Sequence, residues 1–418
     1  MIIKSISLTN FRNYGRLDLK VGPSVNVIYG NNAQGKTNII EAVSVGSSVY
    51  SHRTTRDREM VKFGENEYSV ELLCHDEVYD SDIELKACYY TEKSEFTDKK
   101  TAGRVLYQDG IAVPRISRYM SVCNTVIFAP EDLNIVKGQP AGRRRYLNLL
   151  ICKVSPSYYD TLGKARRLIE QKNACLKSFK GHWDPAREAE LDYWDFSIAD
   201  LSAELIMERM RYCELISRKA SAHHSVISDG KEVLKVNYCT LKGAEDVLRG
   251  VLDSDELFGE FIEGTLSEGI LARLKAGLSE FILSKMRNER IYDVEKGICS
   301  NGVHRDDLDI SLNSLPMRSY SSQGQQRSAA LSLKLAELEI IKERTHSSPI
   351  LLLDDVFSEL DEGRRVSLLS GMDIAQIFIT CTDRSFVESE LSGLVTGNAD
   401  GSRDIRFFRV QEGKVFCE

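Results

Sequence analysis

No Cys-x-x-Cys pair occurs in this chain, and none of its ten cysteines (Cys74, Cys88, Cys123, Cys152, Cys175, Cys213, Cys239, Cys299, Cys381 and Cys417) has a close cysteine neighbour. That spacing argues against a zinc site and against a disulfide-stapled secreted domain. Reduced thiols in a cytoplasm are the expectation. No basic-then-apolar segment opens the sequence, and no apolar run is long enough to span a bilayer, so neither a secretory leader nor a membrane helix is expected. Positive charge is not in excess: 55 Lys and Arg stand against 62 Asp and Glu, a net charge of -7. Any contact with nucleic acid must therefore come from a local basic face. Internal repeats and low-complexity tails are also missing.

What is present is an ordinary globular composition, 42% hydrophobic and 28% charged over 418 residues, enough for two or three domains. The first hundred or so residues are strand-rich. "IIKSISL", "LDLKV", "SVNVIYG", "YSVELLC" and "SDIELKACYY" are short apolar or alternating runs, and "QDG" reads as a hairpin tip. The middle of the chain changes period. "SPSYYDTLGKARRLIEQKNACLKSF" opens with a Ser-Pro helix start, and two longer segments, from Trp194 and from Asp253, keep helical spacing over many turns. "PILLLDDV" and "AQIFITCT" then read as buried strands of a parallel sheet. The expected architecture is an α/β head built from both chain ends, 1–115 and 296–418, with a helical insert over 116–295 containing long helical hairpins.

The strongest motif is "GNNAQGKT". Gly30, Asn31, Asn32, Ala33, Gln34, Gly35, Lys36 and Thr37 satisfy the phosphate-loop pattern, after a strand and at the start of a helix. Its glycines let backbone N–H groups turn inward around phosphate oxygens. Lys36 would reach the β- and γ-phosphates of ATP, and Thr37 would hold Mg²⁺. A phosphate loop calls for a second strand ending in a carboxylate, and "PILLLDD" provides it. Asp354, at the carboxyl end of that strand, is the second expected Mg²⁺ ligand; Asp355 would orient or deprotonate the attacking water. Since the two motifs lie more than three hundred residues apart, the helical segment reads as an insertion. Ser321–Gln326 ("SSQGQQ") stands before another helix, an arrangement suited either to capping or to seating an anion, yet without a lysine.

Together these motifs resemble the ABC-type P-loop ATPases, in the branch that contains SMC-like chromosome proteins. The resemblance implies that Ser322, Gly324 and Gln325 form a signature facing the γ-phosphate held by a second copy. Ser358 and Asp361 would touch that copy, and ATP would drive homodimer formation. Within the branch the chain is similar along nearly its whole length to bacterial recombination mediators, through "LTNFRNY" (8–14), "SHRT" (51–54), "FAPEDLNIVKGQPAGRRRYLN" (128–148) and "GVHRDDL" (302–308). The resemblance implies a cytoplasmic, weak ATPase acting as a DNA-binding switch in recombinational gap repair and replication restart. It would bind single-stranded, gapped or junction DNA, and work with RecR, with RecO and RecA downstream.

The sequence also departs from the wider ABC pattern. Asp355 replaces the usual glutamate, one methylene longer, which suits slow turnover. "FITCTD" carries Thr380 and Thr382 and no switch histidine. Arg53, Arg56, Lys137, Arg143 and Arg144 are the foremost candidates for DNA contact. Two other readings share the ATPase parts. A transporter nucleotide subunit is disfavoured by the large insert with basic clusters, and an ATPase-nuclease by the short stretch after "ITCTD". "HRDD" is not a kinase catalytic loop, because Asp307 stands where leucine is needed and no Asp-Phe-Gly exists.

Overall fold

The computed structural model describes residues 1–91, 102–356, 376–385, 387–388 and 404–418. It divides into two compact units. One comprises Met1–Leu133, His223–Lys231 and Arg327–Glu418; the other comprises Asn134–Ala222 and Glu232–Gln326.

The first unit carries two six-stranded sheets. An antiparallel sheet runs in the order β2-β1-β4-β5-β6-β7, with β1 Ile2–Phe11, β2 Tyr14–Lys20, β4 Glu67–Asp76, β5 Ser81–Tyr90, β6 Gly103–Gln108 and β7 Ile111–Ala112. The β6–β7 tip is the expected "QDG" hairpin: Asp109 and Gly110 both take positive φ, 52° and 73°, as a tight two-residue turn requires. The second sheet runs β15-β14-β3-β13-β12-β8, with β3 Val25–Tyr29, β8 Thr125–Phe128, β12 Ile350–Asp354, β13 Ile377–Cys381, β14 Ile405–Gln411 and β15 Lys414–Cys417. Every residue of β8, β12 and β13 is buried, which is why these strands read as continuous apolar runs rather than alternating ones. They pair in parallel, with Leu353 opposite Ile379 and Asp354 opposite Thr380, while Cys381 lies opposite Tyr29 of β3. The carboxyl ends of β3, β12 and β13 thus meet at one edge, where ligands bind in open α/β sheets.

Helix α1 (Lys36–Ser48) leaves that edge directly after the phosphate loop. Ile39, Ile40, Ala42, Val43 and Val45 are fully buried. Gly46 lets the helix approach β4 closely: a Cβ there would lie 2.8 Å from Leu72 and 2.9 Å from Val70.

Short helices α2 (Ile116–Met120) and α3 (Leu133–Lys137) precede the longer ones. These are α4 (Pro140–Val154), α5 (Pro156–Ser178) and the 40-residue α6 (Glu188–Ile227). After them come α7 (Ala244–Val251), α8 (Asp255–Glu263), α9 (Glu268–Asn288), α10 (Arg290–Lys296), α11 (Met317–Tyr320) and α12 (Gln323–Thr345). The α/β class and the long helices of the middle region are both as expected, and α5 starts with Pro156 in its first turn. The second unit also contains a three-stranded antiparallel sheet, β11-β10-β9, formed by β9 Leu234–Cys239, β10 Asp307–Leu312 and β11 Leu315–Pro316.

The unit boundaries run differently from the expected 116–295 insert. Strand β8 lies inside that range, yet it pairs in parallel with β12, Thr125 opposite Ile350. Conversely, β10, expected in the head, pairs with β9, Ile310 opposite Val236. Among the described residues no helix is long and apolar enough to cross a membrane.

Candidate nucleotide site

The phosphate loop is held in shape from outside. Gly30 has φ 145°, and a Cβ there would lie 2.3 Å from the carbonyl oxygen of Val410 on β14, so the position admits only glycine. Gly35, φ 109°, sits under the β1–β2 turn. Tyr14 donates its hydroxyl to the Gly35 carbonyl (3.1 Å), and Asn13 donates its amide to the Gln34 carbonyl (3.3 Å). From the β14–β15 turn, the Glu412 N–H donates to the Gln34 side chain at 2.5 Å. Lys36 folds back over the loop and donates to the carbonyls of Gly30 (2.6 Å) and Asn31 (2.9 Å). Burial pushes its amine below the ordinary lysine value, opposed by Asp355, Cys381 and Asp354. Residues 32–38 line a cleft of ≈ 290 Å³ together with Arg53, Asp355 and Thr380. The positive end of α1 points into it, the arrangement that binds phosphate.

Opposite the loop stands Asp354, 3% exposed. Its Oδ1 accepts from Thr37 Oγ1 at 2.9 Å and from Thr380 Oγ1 at 2.7 Å. Its Oδ2 lies 3.6 Å from Nε2 of His52. Burial pushes the Asp354 carboxyl up, but His52, Thr380 and Thr37 together hold it below the ordinary aspartate value. Asp355 leaves the strand line with φ 55°, in the left-handed region, and its N–H donates to Thr380 Oγ1 at 2.9 Å. Such a backbone, costly for a residue with a Cβ, turns the side chain out of the sheet and into the cleft lining. The donor set, one threonine hydroxyl and one ionised carboxylate beside a phosphate seat, fits Mg²⁺, which takes hard oxygen ligands and keeps several waters.

A second network braces the helix. Glu41, fully buried, accepts a bidentate pair from Arg12 (2.8 and 2.6 Å) and a bond from the Ser51 hydroxyl (2.5 Å). Arg53 donates to Asn38 at 2.8 Å and reaches Glu41 at 3.4 Å. Arg53, expected on DNA, therefore lines the nucleotide cleft.

The other sequence candidates separate clearly. Arg56 and Lys137 are exposed. Arg143 is 5% exposed and closes a bidentate pair on Asp307, both bonds 2.7 Å. Its DNA assignment is corrected on that ground: a buried guanidinium already neutralised by a carboxylate has no free face for a phosphate. Arg144 is half-buried and donates to the backbone carbonyl of Asp306 at 2.7 Å. At the start of α12, Ser322 Oγ accepts from the Gln325 N–H (3.2 Å) while the Gln325 side chain accepts from the Ser322 N–H (2.9 Å). This is a reciprocal capping box. The Gln325 amide also donates to Glu232 at 2.7 Å. Gly324 lies in the first turn of the same helix. Ser358 and Asp361 lie outside the described residues.

Sequence reasoning assigned no role to Asn13, Tyr14, His52 or Thr380. The first three lie in "FRNY" and "SHRT", segments whose chemistry becomes visible only once the sheet edge is assembled.

Fold and site together define a P-loop head of the α/β class. The family described as RecF/RecN/SMC N terminal domain matches residues 2–398. DNA replication and repair protein RecF of Clostridium acetobutylicum is 33% identical over 416 residues, spanning 99% of each chain. The protein of that name from Acetivibrio thermocellus is 33% identical over 416 residues and all of both chains. A solved structure described as the recombination mediator protein RecF-ATP in the RecFOR pathway superposes with a TM-score of 0.80 at 29% identity, covering 100% of this chain and 97% of that one. The chain belongs to the RecF family.

Proposed function

We propose that this protein is an ATP-dependent DNA-binding switch of recombinational gap repair. The observation that carries the reading is the cleft lined by Lys36, Thr37 and Asp355 at the head of α1, with buried Asp354 bonded to Thr37 behind it. ATP would lie with its triphosphate on residues 30–37. Thr37 and Asp354 would hold Mg²⁺, which would supply positive charge beside the triphosphate. Asp355 would hold the attacking water, and its short side chain suits a slow, weak ATPase.

A second copy completes the site in this reading. Ser322, Gly324 and Gln325 of one chain would face the γ-phosphate bound by the other, and Ser358 and Asp361 would line the contact. The Ser322 hydroxyl and the Gln325 amide, which close the end of α12 in the single chain, are the groups that would turn to that phosphate. The homodimer would grip single-stranded, gapped or junction DNA through exposed cations such as Arg56 and Lys137. It would act in the cytoplasm with RecR, and with RecO and RecA downstream, to help load recombinase on single-stranded gaps. The relatives' shared name and the RecFOR pathway of the similar structure support this assignment.

The test is molar mass in solution, with and without ATP, alongside titration of gapped DNA. Wild type is expected to double in mass and tighten on DNA when ATP is added. Ser322→Arg is expected to bind ATP and stay single. Mass and DNA affinity that ignore ATP would refute the switch.

A further inference from the structure

We propose that His52 is a nitrogen ligand of the divalent cation in the nucleotide cleft, so that the site takes first-row transition cations over Mg²⁺ more strongly than an all-oxygen site would. The inference rests on the nucleotide reading above and adds the class of metal.

His52 follows α1, one residue after Ser51, which is anchored to Glu41. Its side chain is 6% exposed, and neither ring nitrogen has a hydrogen-bond partner among the described residues. A buried imidazole left without a hydrogen bond is costly, so such a group usually answers to something that binds there. Nε2 lies 3.6 Å from Asp354 Oδ2, the oxygen that Thr37 and Thr380 leave open, since both donate to Oδ1. That distance is too long for a hydrogen bond. It does match two ligands of one cation. Donors each about 2.1 Å from a metal stand about 3.0 Å apart at a right angle and about 3.6 Å apart at 120°. The pair needs little movement to close on an ion.

Among the described residues no group of three His, Cys, Asp or Glu gathers to hold a metal. His52 and Asp354 thus form an open half-site, which Thr37 and the phosphate oxygens of a nucleotide would complete. An imidazole matters for selectivity. Mg²⁺ is a hard cation that takes oxygen ligands, whereas nitrogen donors favour the later first-row divalent ions.

Two measurements test this on the full chain with a non-hydrolysable ATP analogue. In the first, Mn²⁺ serves as a paramagnetic probe, and electron spin-echo modulation is recorded on protein carrying ¹⁵N-histidine. Wild type is expected to show a ¹⁵N coupling of a directly bound imidazole, absent from His52→Gln. In the second, the Co²⁺ to Mg²⁺ affinity ratio is expected to fall at least about tenfold in His52→Gln. The wild-type spectrum decides the point even if the variant folds poorly. Bound nucleotide and Mn²⁺ with no histidine coupling would overturn this inference alone. Failure of wild type to bind nucleotide with any of these cations would overturn it together with the reading beneath it.

Discussion

Replacing Lys172 by methionine keeps the length of the side chain and deletes one buried charge from the second unit. Lys172, on α5, is 0% exposed and so are both carboxylates it meets: Asp195 of α6 at 2.7 Å and Asp293 of α10 at 3.3 Å. Asp195 keeps a second cation, Arg290, at 2.8 Å. Asp293 pairs with no other cation among the described residues; its remaining bond comes from the Ser300 N–H at 2.9 Å. The variant therefore leaves Asp293 buried and uncompensated. Charges about 4 Å apart at an effective dielectric of about 20 interact by about 4 kcal/mol, and breaking a buried pair by removing one partner costs about 3–5 kcal/mol. The two figures agree, and the expected loss is about 3–5 kcal/mol.

Burial pushes the Lys172 amine down, while Cys299, Asp195 and Asp293 push it up by more, so it lies above the ordinary lysine value. A cation raised in the folded state contributes stability that is fully present below its unfolded value, about 10.4, and lost only as pH rises through the folded value. The difference between wild type and Lys172→Met should thus stay flat between about pH 6 and pH 9. Both tryptophans of the chain, Trp183 and Trp194, lie in the second unit. Urea unfolding followed by tryptophan emission therefore reads this unit. Lys172→Met combined with Asp293→Asn, which removes the orphaned charge as well, should recover a good part of the loss. A single-variant loss below about 1 kcal/mol, or a double variant no better than the single, would refute the charge argument.

Gly30→Ala sets a methyl group against the Val410 carbonyl at a φ of 145°. Calorimetric titration should show ATP affinity down at least about tenfold, with about 1–3 kcal/mol of stability lost; affinity and melting both at wild-type level would contradict the loop geometry. Asp192 accepts from Arg290 at 2.5 Å and Arg287 at 3.2 Å, which hold its carboxyl below the ordinary value even though burial pushes the other way. Its contribution is present above the unfolded value and disappears as pH falls through the folded one. Because the side chain is 45% exposed, Asp192→Asn should cost less than about 1 kcal/mol near neutrality. That difference should vanish in acid and shrink in about 1 M salt, and a constant difference across both would argue against an ionic clamp.

The phosphate loop was legible because its backbone demands glycine at two fixed places, and the long helices because their apolar period repeats over many turns. Strand β8 was not. "TVIF" is four apolar residues, too short for periodicity to separate a buried strand from a helix turn, and only its pairing with Ile350–Leu353 decides the matter. Arg143 and Arg144 show a related limit. Three consecutive arginines resemble a basic patch, but Asp306 and Asp307, more than a hundred and sixty residues later, take two of them.

The nucleotide cleft shows where the limit lies. Thr37 is hundreds of residues from Asp354 and Thr380, and their meeting depends on parallel register, Asp354 opposite Thr380 and Thr380 opposite Ile28. Sliding β13 by one residue would place Ile379 beside Asp354 and turn Thr380 to the other face. The carboxylate would then lose a hydroxyl donor, and the Asp355 N–H would lose its acceptor. The burial of Ile377, Phe378 and Ile379 holds the strand inside the sheet, and the paired bonds of Gln376 with the Ile3 backbone anchor its start. The chemistry of Asp354 therefore depends on apolar residues that carry none of it. A motif can reveal which side chains are suited to a site, but only the packed sheet determines which of them share one oxygen.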